Sequence, residues 1–128
     1  MIRVAILDND AKFRRSLGMI LGKVSDISVV AEAGSNLDGI KALEGHKPDV
    51  ILMDSNEPFT DALENTKQVI SRFPNSTVII LSNQPGSTLT ATLCKTWACY
   101  HLCKKCSAKE ILAAIREGLP QGNGRVAV

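Results

Sequence analysis

No apolar run in the sequence approaches the length that a membrane-spanning helix needs. The start, Met1-Ile2-Arg3-Val4, lacks the charged segment and cleavage site of a secretory signal. The chain is therefore expected in the cytoplasm, without membrane contact. Neither sign of charge prevails, since 15 lysines and arginines stand against 13 aspartates and glutamates for a formal net charge of +2. Such a balance gives no electrostatic reason to bind nucleic acid. The richest basic cluster, Lys104, Lys105 and Lys109, is short and reads equally well as a solvated face. A Gly-rich nucleotide loop, a serine-nucleophile elbow and a metalloprotease motif are all missing, which argues against a turnover enzyme. Internal repeats and low-complexity segments are missing too.

What is present suits one globular domain. The 128 residues are 45% hydrophobic and 22% charged, enough to bury a real core. Four cysteines, Cys94, Cys99, Cys103 and Cys106, lie close together. A reducing cytosol makes a disulfide framework an unsuitable reading. His101, Cys103 and Cys106 have a spacing that can bind zinc or an iron–sulfur cluster. A strand through His101 and Cys103, however, cannot wrap four ligands around one ion. Buried structural thiols are the simpler account, with a thiol or metal sensor as the competing one.

Five short apolar runs recur: Ile2–Leu7, Ile27–Ala33, Asp49–Met53, Thr77–Leu81 and Cys99–Cys103. Most are continuous rather than alternating, as in strands covered on both faces. Between them apolar residues repeat at helical spacing: Phe13, Leu17, Ile20 and Leu21; Leu37, Ile40 and Leu43; Leu63, Thr66, Val69, Ile70 and Phe73; Ile111, Leu112, Ile115 and Leu119. Ser35-x-x-Asp38 and Ser107-x-x-Glu110 look like helix starts. A fourth segment, Gly86 to Trp97, carries four threonines and predicts a short or mobile helix. The alternation predicts an α/β fold, a doubly wound five-stranded parallel sheet with helices on both faces. Residues 1–119 form the domain, and residues 120–128, opening Pro-Gln-Gly-Asn-Gly, have the composition of a linker-like tail.

In such a sheet, sites lie beyond the carboxyl ends of the strands. Reading those ends in order gives Asp8-Asn9-Asp10, then Asp54, then Ser82, then Lys104. Carboxylates, a hydroxyl and an ammonium group thus meet on one rim, a set suited to a phosphoryl group and a divalent cation. Asp54 would be the nucleophile that forms an aspartyl phosphate. Asp8 and Asp54 would ligate Mg²⁺, which takes oxygen donors in octahedral geometry. Lys104 would pair with a phosphoryl oxygen and Ser82 would donate to another. Taken singly, each has an ordinary explanation: Asp8 or Asp10 as a helix cap, Ser82 as a loop residue, Lys104 as a surface lysine. The combination is what carries the reading.

The same residues give the chain its resemblance to the receiver domains of two-component response regulators. Val4-Ala-Ile-Leu-Asp8-Asn9-Asp10 resembles the family's first strand and acidic pair, and Pro48 to Pro58 around Asp54 resembles the phosphoacceptor strand and its proline-containing loop. Leu81-Ser82 and Leu102-Cys103-Lys104 match the strand-four hydroxyl and the strand-five lysine. The likeness runs from about Ile2 to Leu119 and is nearest to receivers that precede a LuxR-type helix-turn-helix domain. It implies a flavodoxin-like strand order of 2-1-3-4-5. It also implies Mg²⁺ as cofactor and a backbone-carbonyl ligand from Asn56. Ser82 and His101 would be switch residues and a histidine kinase the phosphoryl donor. Further implied are a homodimer through the face of the fourth helix, fifth strand and fifth helix, and a DNA-binding effector domain outside this chain.

Five positions depart from the family pattern. Asn9 stands where a second acid is usual, often a direct metal ligand, and Asp10 either compensates for it or caps the helix. Asn83 is larger than the small residue expected after Ser82, and Phe59 and Trp97 replace common glycines. His101 occupies the aromatic switch position, with a charge that varies near pH 7. Asn9 and Asn83 motivate an alternative, a receiver-like interaction or dimerisation module that works without phosphorylation.

Overall fold

The fold is described from a computed structural model over residues 1–55, 59–83, 100–117 and 126–127. The helical segment expected at Gly86–Trp97 lies outside these residues, as do Asn56, Cys94, Cys99 and Leu119.

Strands and helices alternate from the start: β1 (Ile2–Leu7), α1 (Ala11–Gly22), β2 (Ile27–Ala33), α2 (Leu37–Ala42), β3 (Val50–Asp54), α3 (Phe59–Arg72) and β4 (Thr77–Ser82). Further along come β5 (Tyr100–Cys103), α4 (Ala108–Glu117) and β6 (Val126–Ala127). All neighbouring strands are parallel, in the order β2-β1-β3-β4-β5-β6. The five strands and the order implied by the resemblance are present. Beyond them, two residues of the expected tail add β6, where Val126 and Ala127 pair with His101 and Leu102. An edge strand exposes unpaired backbone groups, and this short addition satisfies part of that edge.

Alternation along the strands divides the core in two. Val4, Ile6, Leu52, Ile79, Leu81, Tyr100 and Leu102 face Leu17 and Leu21 of α1 and Ile111, Ala114 and Ile115 of α4. Ala5, Leu7, Ile51, Met53, Val78 and Ile80 face Ile40 of α2 and Leu43 just after it, and Val69 of α3 and Phe73 just after it. A strand buried on both sides has no polar face to show, which is why the runs read as continuous. Two residues of the expected helix stripes, Ile20 and Leu37, are exposed at 39% and 43%.

Helix starts are set by side-chain oxygens. Asp10 caps α1, accepting from the N–H groups of Lys12 and Phe13 at 3.0 and 3.1 Å. Ser107 accepts from the Glu110 N–H at 3.1 Å before α4, as its spacing predicts. The second helix differs, because its cap is Asn36, accepting from Gly39 N–H at 2.8 Å, rather than Ser35. Ser35 is instead buried and committed to the site below.

The strand order reverses between β1 and β3, which opens a crevice at their carboxyl ends. Backbone bonds continue the ladder past the strands at that rim. Asp8 N–H donates to Ala33 at 3.0 Å, Ser55 N–H to Leu81 at 3.2 Å, and Lys104 N–H to Ser82 at 2.8 Å. The residues of interest therefore sit on a fixed edge rather than on free loops.

Candidate functional site

Asp8 follows β1 and Asp54 closes β3, one residue later than the expected strand end; both are buried. Between their carboxylates lies Lys104, whose Nζ is 3.0 Å from Asp8 Oδ2 and 3.0 Å from Asp54 Oδ1. The lysine side chain is only 7% exposed, so it is not the surface lysine that its isolated reading suggested. Its ammonium also stands 4.7 Å from the centroid of the Phe13 ring, a cation–π contact. Phe13 entered the sequence reading only as a core-stripe residue, because helical spacing cannot reveal which cation its ring meets.

Two buried carboxylates share one ammonium, and the electrostatics follow from that ratio. Burial, joined by the Asp54 charge, raises the Asp8 carboxyl above the ordinary aspartate range despite bonds from Asp10 N–H and Lys104. Burial alone would lower Lys104, but the two carboxylates overcome it and hold the ammonium above its usual value. The cluster is left one negative charge in excess. A divalent cation would balance it, and the oxygen-only donor set is the kind Mg²⁺ takes. Among the described residues no group of three or more His, Cys, Asp or Glu side chains is placed to hold a metal. Among the described residues, donors beyond the two carboxylates would be amide or carbonyl oxygens, with water completing the shell that Mg²⁺ retains readily.

The cluster opens on a cavity of about 440 Å³ lined by Asn9, Asp10, Phe13, Asp54, Asn83, Lys104 and Lys105. Asp10 borders it, yet its Oδ1 is the α1 cap, the second of the two roles the sequence left open. Asn9 Oδ1 accepts from Ser35 N–H at 2.8 Å, and its Nδ2 donates to the Ser35 carbonyl at 3.4 Å. Ser35 in turn receives Asn65 Nδ2 on that carbonyl at 3.0 Å and donates its hydroxyl to the Asp54 carbonyl at 3.4 Å. Ser35 and Asn65 tie α3 to the loops around the site; spacing marks Ser35 only as a helix start and does not mark Asn65 at all, since their partners are tens of residues away. Asn56 lies outside the described residues.

Ser82 and His101 make a second pair beside this cluster. His101 is paired with Ile80 across the β4–β5 ladder, so Ser82 sits one diagonal step away on the same face. Ser82 Oγ lies 3.0 Å from His101 Nε2, and both residues are buried. Burial pushes His101 down to about 4, so the imidazole is neutral near pH 7. This corrects the expectation of a charge that varies near neutrality, because no exposed surface remains to solvate the cation. Of the cysteines described, Cys103 is buried and Cys106 half-buried against the α1–α4 core. Burial pushes the Cys106 thiol up to about 11, which suits a structural thiol rather than a reactive thiolate.

The arrangement matches a known family over most of its length. The model for the response regulator receiver domain matches residues 4–116. This chain belongs to that family. The receiver is 30% identical over 115 residues to the transcriptional regulatory protein DegU of Brevibacillus brevis, covering 90% of this chain and 49% of DegU. It is 31% identical over 117 residues to the chemotaxis protein CheY of Listeria monocytogenes, covering 91% of this chain and 98% of CheY. The signal receiver domain of NarL from Mycobacterium tuberculosis shares the fold, with a TM-score of 0.79 at 24% identity over 91% of this chain and 94% of that one. The receiver thus spans about half the length of DegU and nearly all of CheY. It is a signalling domain of two-component regulation, and among the described residues no helix is long and apolar enough to cross a membrane.

Proposed function

We propose that this receiver accepts a phosphoryl group on Asp54 from a partner histidine kinase and thereby switches the face of β4 and β5. The carrying observation is Lys104, held 3.0 Å from both Asp8 and Asp54 at the open rim of the sheet. An ammonium so placed is already where phosphoryl charge would arrive. A carboxylate oxygen of Asp54 attacks phosphorus as the bond to the donor's imidazole nitrogen breaks, and the electron pair returns to that nitrogen. Lys104 keeps its charge and moves its pairing from Asp54 Oδ1 to a phosphoryl oxygen. Ser82 donates its hydroxyl to another.

Mg²⁺ would be held by Asp8 and Asp54, with Asn9 and the Asn56 carbonyl as further oxygen donors, and would neutralise charge on the transferring group. Asn9 has to share or release its 2.8 Å bond to Ser35 to take that role. Such a domain is a phosphoacceptor rather than a turnover enzyme, with self-phosphorylation from small donors and slow self-dephosphorylation as its only chemistry. Its output is a changed homodimer or partner surface on the face of β5 and its flanking helices. That DegU is named a transcriptional regulatory protein supports a DNA-binding effector domain as the partner in a longer regulator.

The test is an amide NMR titration with Mg²⁺ and then beryllofluoride, on wild type and Asp54→Asn. Shifts around Asp8, Asp54, Ser82 and Lys104 that vanish in the variant are expected. Asn9 favours a second reading, because both ends of its amide are engaged with the Ser35 backbone. In that reading the domain is an interaction or dimerisation module, and wild type gives no response to either addition.

A further inference from the structure

The Ser82–His101 pair has a direction, and that direction decides what the hydroxyl can do. At 3.0 Å between Oγ and Nε2, one hydrogen lies between them, and either partner can own it. Burial holds the ring neutral, so His101 carries one N–H only. The other ring nitrogen, Nδ1, is buried with no hydrogen-bond partner among the described residues.

If the proton sits on Nδ1, a donor is buried without an acceptor, and the Ser82 hydroxyl spends its own proton on Nε2. If the proton sits on Nε2, His101 donates to Ser82 Oγ and Nδ1 is left as a bare acceptor. Unpaired buried N–H groups are the rarer of the two defects in folded proteins. The Nε2–H form is also the intrinsically preferred tautomer of neutral imidazole. Both arguments select the same state, in which the Ser82 proton is not used within the pair.

We infer that His101 is a positioning residue that donates to Ser82 Oγ and so reserves the Ser82 hydroxyl proton for a phosphoryl oxygen at the strand ends. This rests on the reading of Asp54 as the phosphoacceptor and deepens it. Ser82 then arrives as an oriented donor, and no bond within the pair has to be broken for it to donate. A phenyl ring at position 101 would fill much the same space and leave the hydroxyl to rotate. A glutamine amide can restore an N–H near the Nε2 position.

The experiment uses the whole chain in three readouts. Long-range ¹H–¹⁵N correlation on unphosphorylated wild type assigns the His101 tautomer, and the expected result is a protonated Nε2. Phosphorylation by acetyl phosphate with Mg²⁺ is then compared in wild type, His101→Phe and His101→Gln. His101→Phe should lower the maximal rate about fivefold, the scale of one net hydrogen bond, with little change in the donor concentration for half-maximal rate. His101→Gln should recover most of that rate. A protonated Nδ1, or His101→Phe labelled as fast as wild type, overturns this inference alone. A wild type that neither takes up phosphoryl nor responds to beryllofluoride overturns the acceptor reading, and the inference falls with it.

Discussion

Asn9 grips the backbone of Ser35 from both sides, its Oδ1 accepting the N–H at 2.8 Å and its Nδ2 donating to the carbonyl at 3.4 Å. The two residues are 26 positions apart, so this contact ties the β1–α1 loop to the β2–α2 turn. An aspartate at position 9 could still accept the Ser35 N–H, while the longer Nδ2 bond to the Ser35 carbonyl would be lost. It would add one negative charge beside Asp8 and Asp54. Asn9→Asp is therefore expected to tighten Mg²⁺ binding about tenfold, the scale of one nearby charge in a partly screened site. Calorimetric titration of both proteins with Mg²⁺ measures it. Equal affinities would remove Asn9 from the metal site and leave it as a loop clamp.

Asp8 and Lys104 should respond to substitution in opposite senses. Asp8 is an acid whose folded-state value is raised, first by burial. The folded state then binds the proton more readily than the unfolded one, and stability falls as pH rises through the raised value. Asp8→Asn is expected to be more stable than wild type at pH 7, and to lose that advantage in acid, where the carboxyl is protonated in both states. The same change should weaken Mg²⁺ binding more than tenfold, since a charged ligand is gone. Lys104→Met leaves two buried carboxylates with no cation between them and should cost about 3 kcal/mol. Urea unfolding of both variants at pH 7 and pH 3 checks the signs; a destabilised Asp8→Asn at pH 7 would contradict them.

The rim of the sheet was readable in the sequence because its causes are local. Strands covered on both faces appear as apolar runs, and each run ends where a polar residue can face the crevice. Asp8, Asp54, Ser82 and Lys104 were found that way. What each of them touches was not readable. Ser35 looked like a helix cap by spacing, yet Asn36 takes the cap and leaves Ser35 to Asn9, Asn65 and Asp54. Phe13 looked like core, and its ring meets Lys104 only once α1 is packed against β5. The charge state of His101 is set by total burial, a tertiary property that no residue spacing encodes.

Gly39 illustrates how tightly α2 sits on the turn that carries Ser35. A Cβ at this position would collide with the Gly34 carbonyl oxygen and crowd the Ala33 side chain. The obstacle is backbone, which cannot rotate away. Gly39→Ala should therefore destabilise the fold by about 2 kcal/mol or more, although alanine is the better helix former. Urea unfolding gives the value, and a change within 0.5 kcal/mol, about the scatter of harmless surface substitutions, would mean that the turn yields.

His101 should make stability depend on pH below neutrality. Its folded-state value is about 4 against an ordinary 6.5, with burial as the cause. A base with a depressed value contributes stability that is fully present above the unfolded value. That contribution drains away as pH falls from about 6.5 to about 4, because the unfolded chain takes up a proton that the folded one refuses. The whole loss is on the order of 3 kcal/mol, at about 1.4 kcal/mol per pK unit. His101→Phe and His101→Gln have no such proton to refuse, so their unfolding free energies should change less between pH 7 and pH 4. Asp8 acts in the opposite sense over its own range and is common to all three proteins, so the difference between wild type and variant isolates the histidine. Parallel pH profiles would mean that His101 takes up its proton as readily in the fold as in the unfolded chain, and that burial does not hold it neutral.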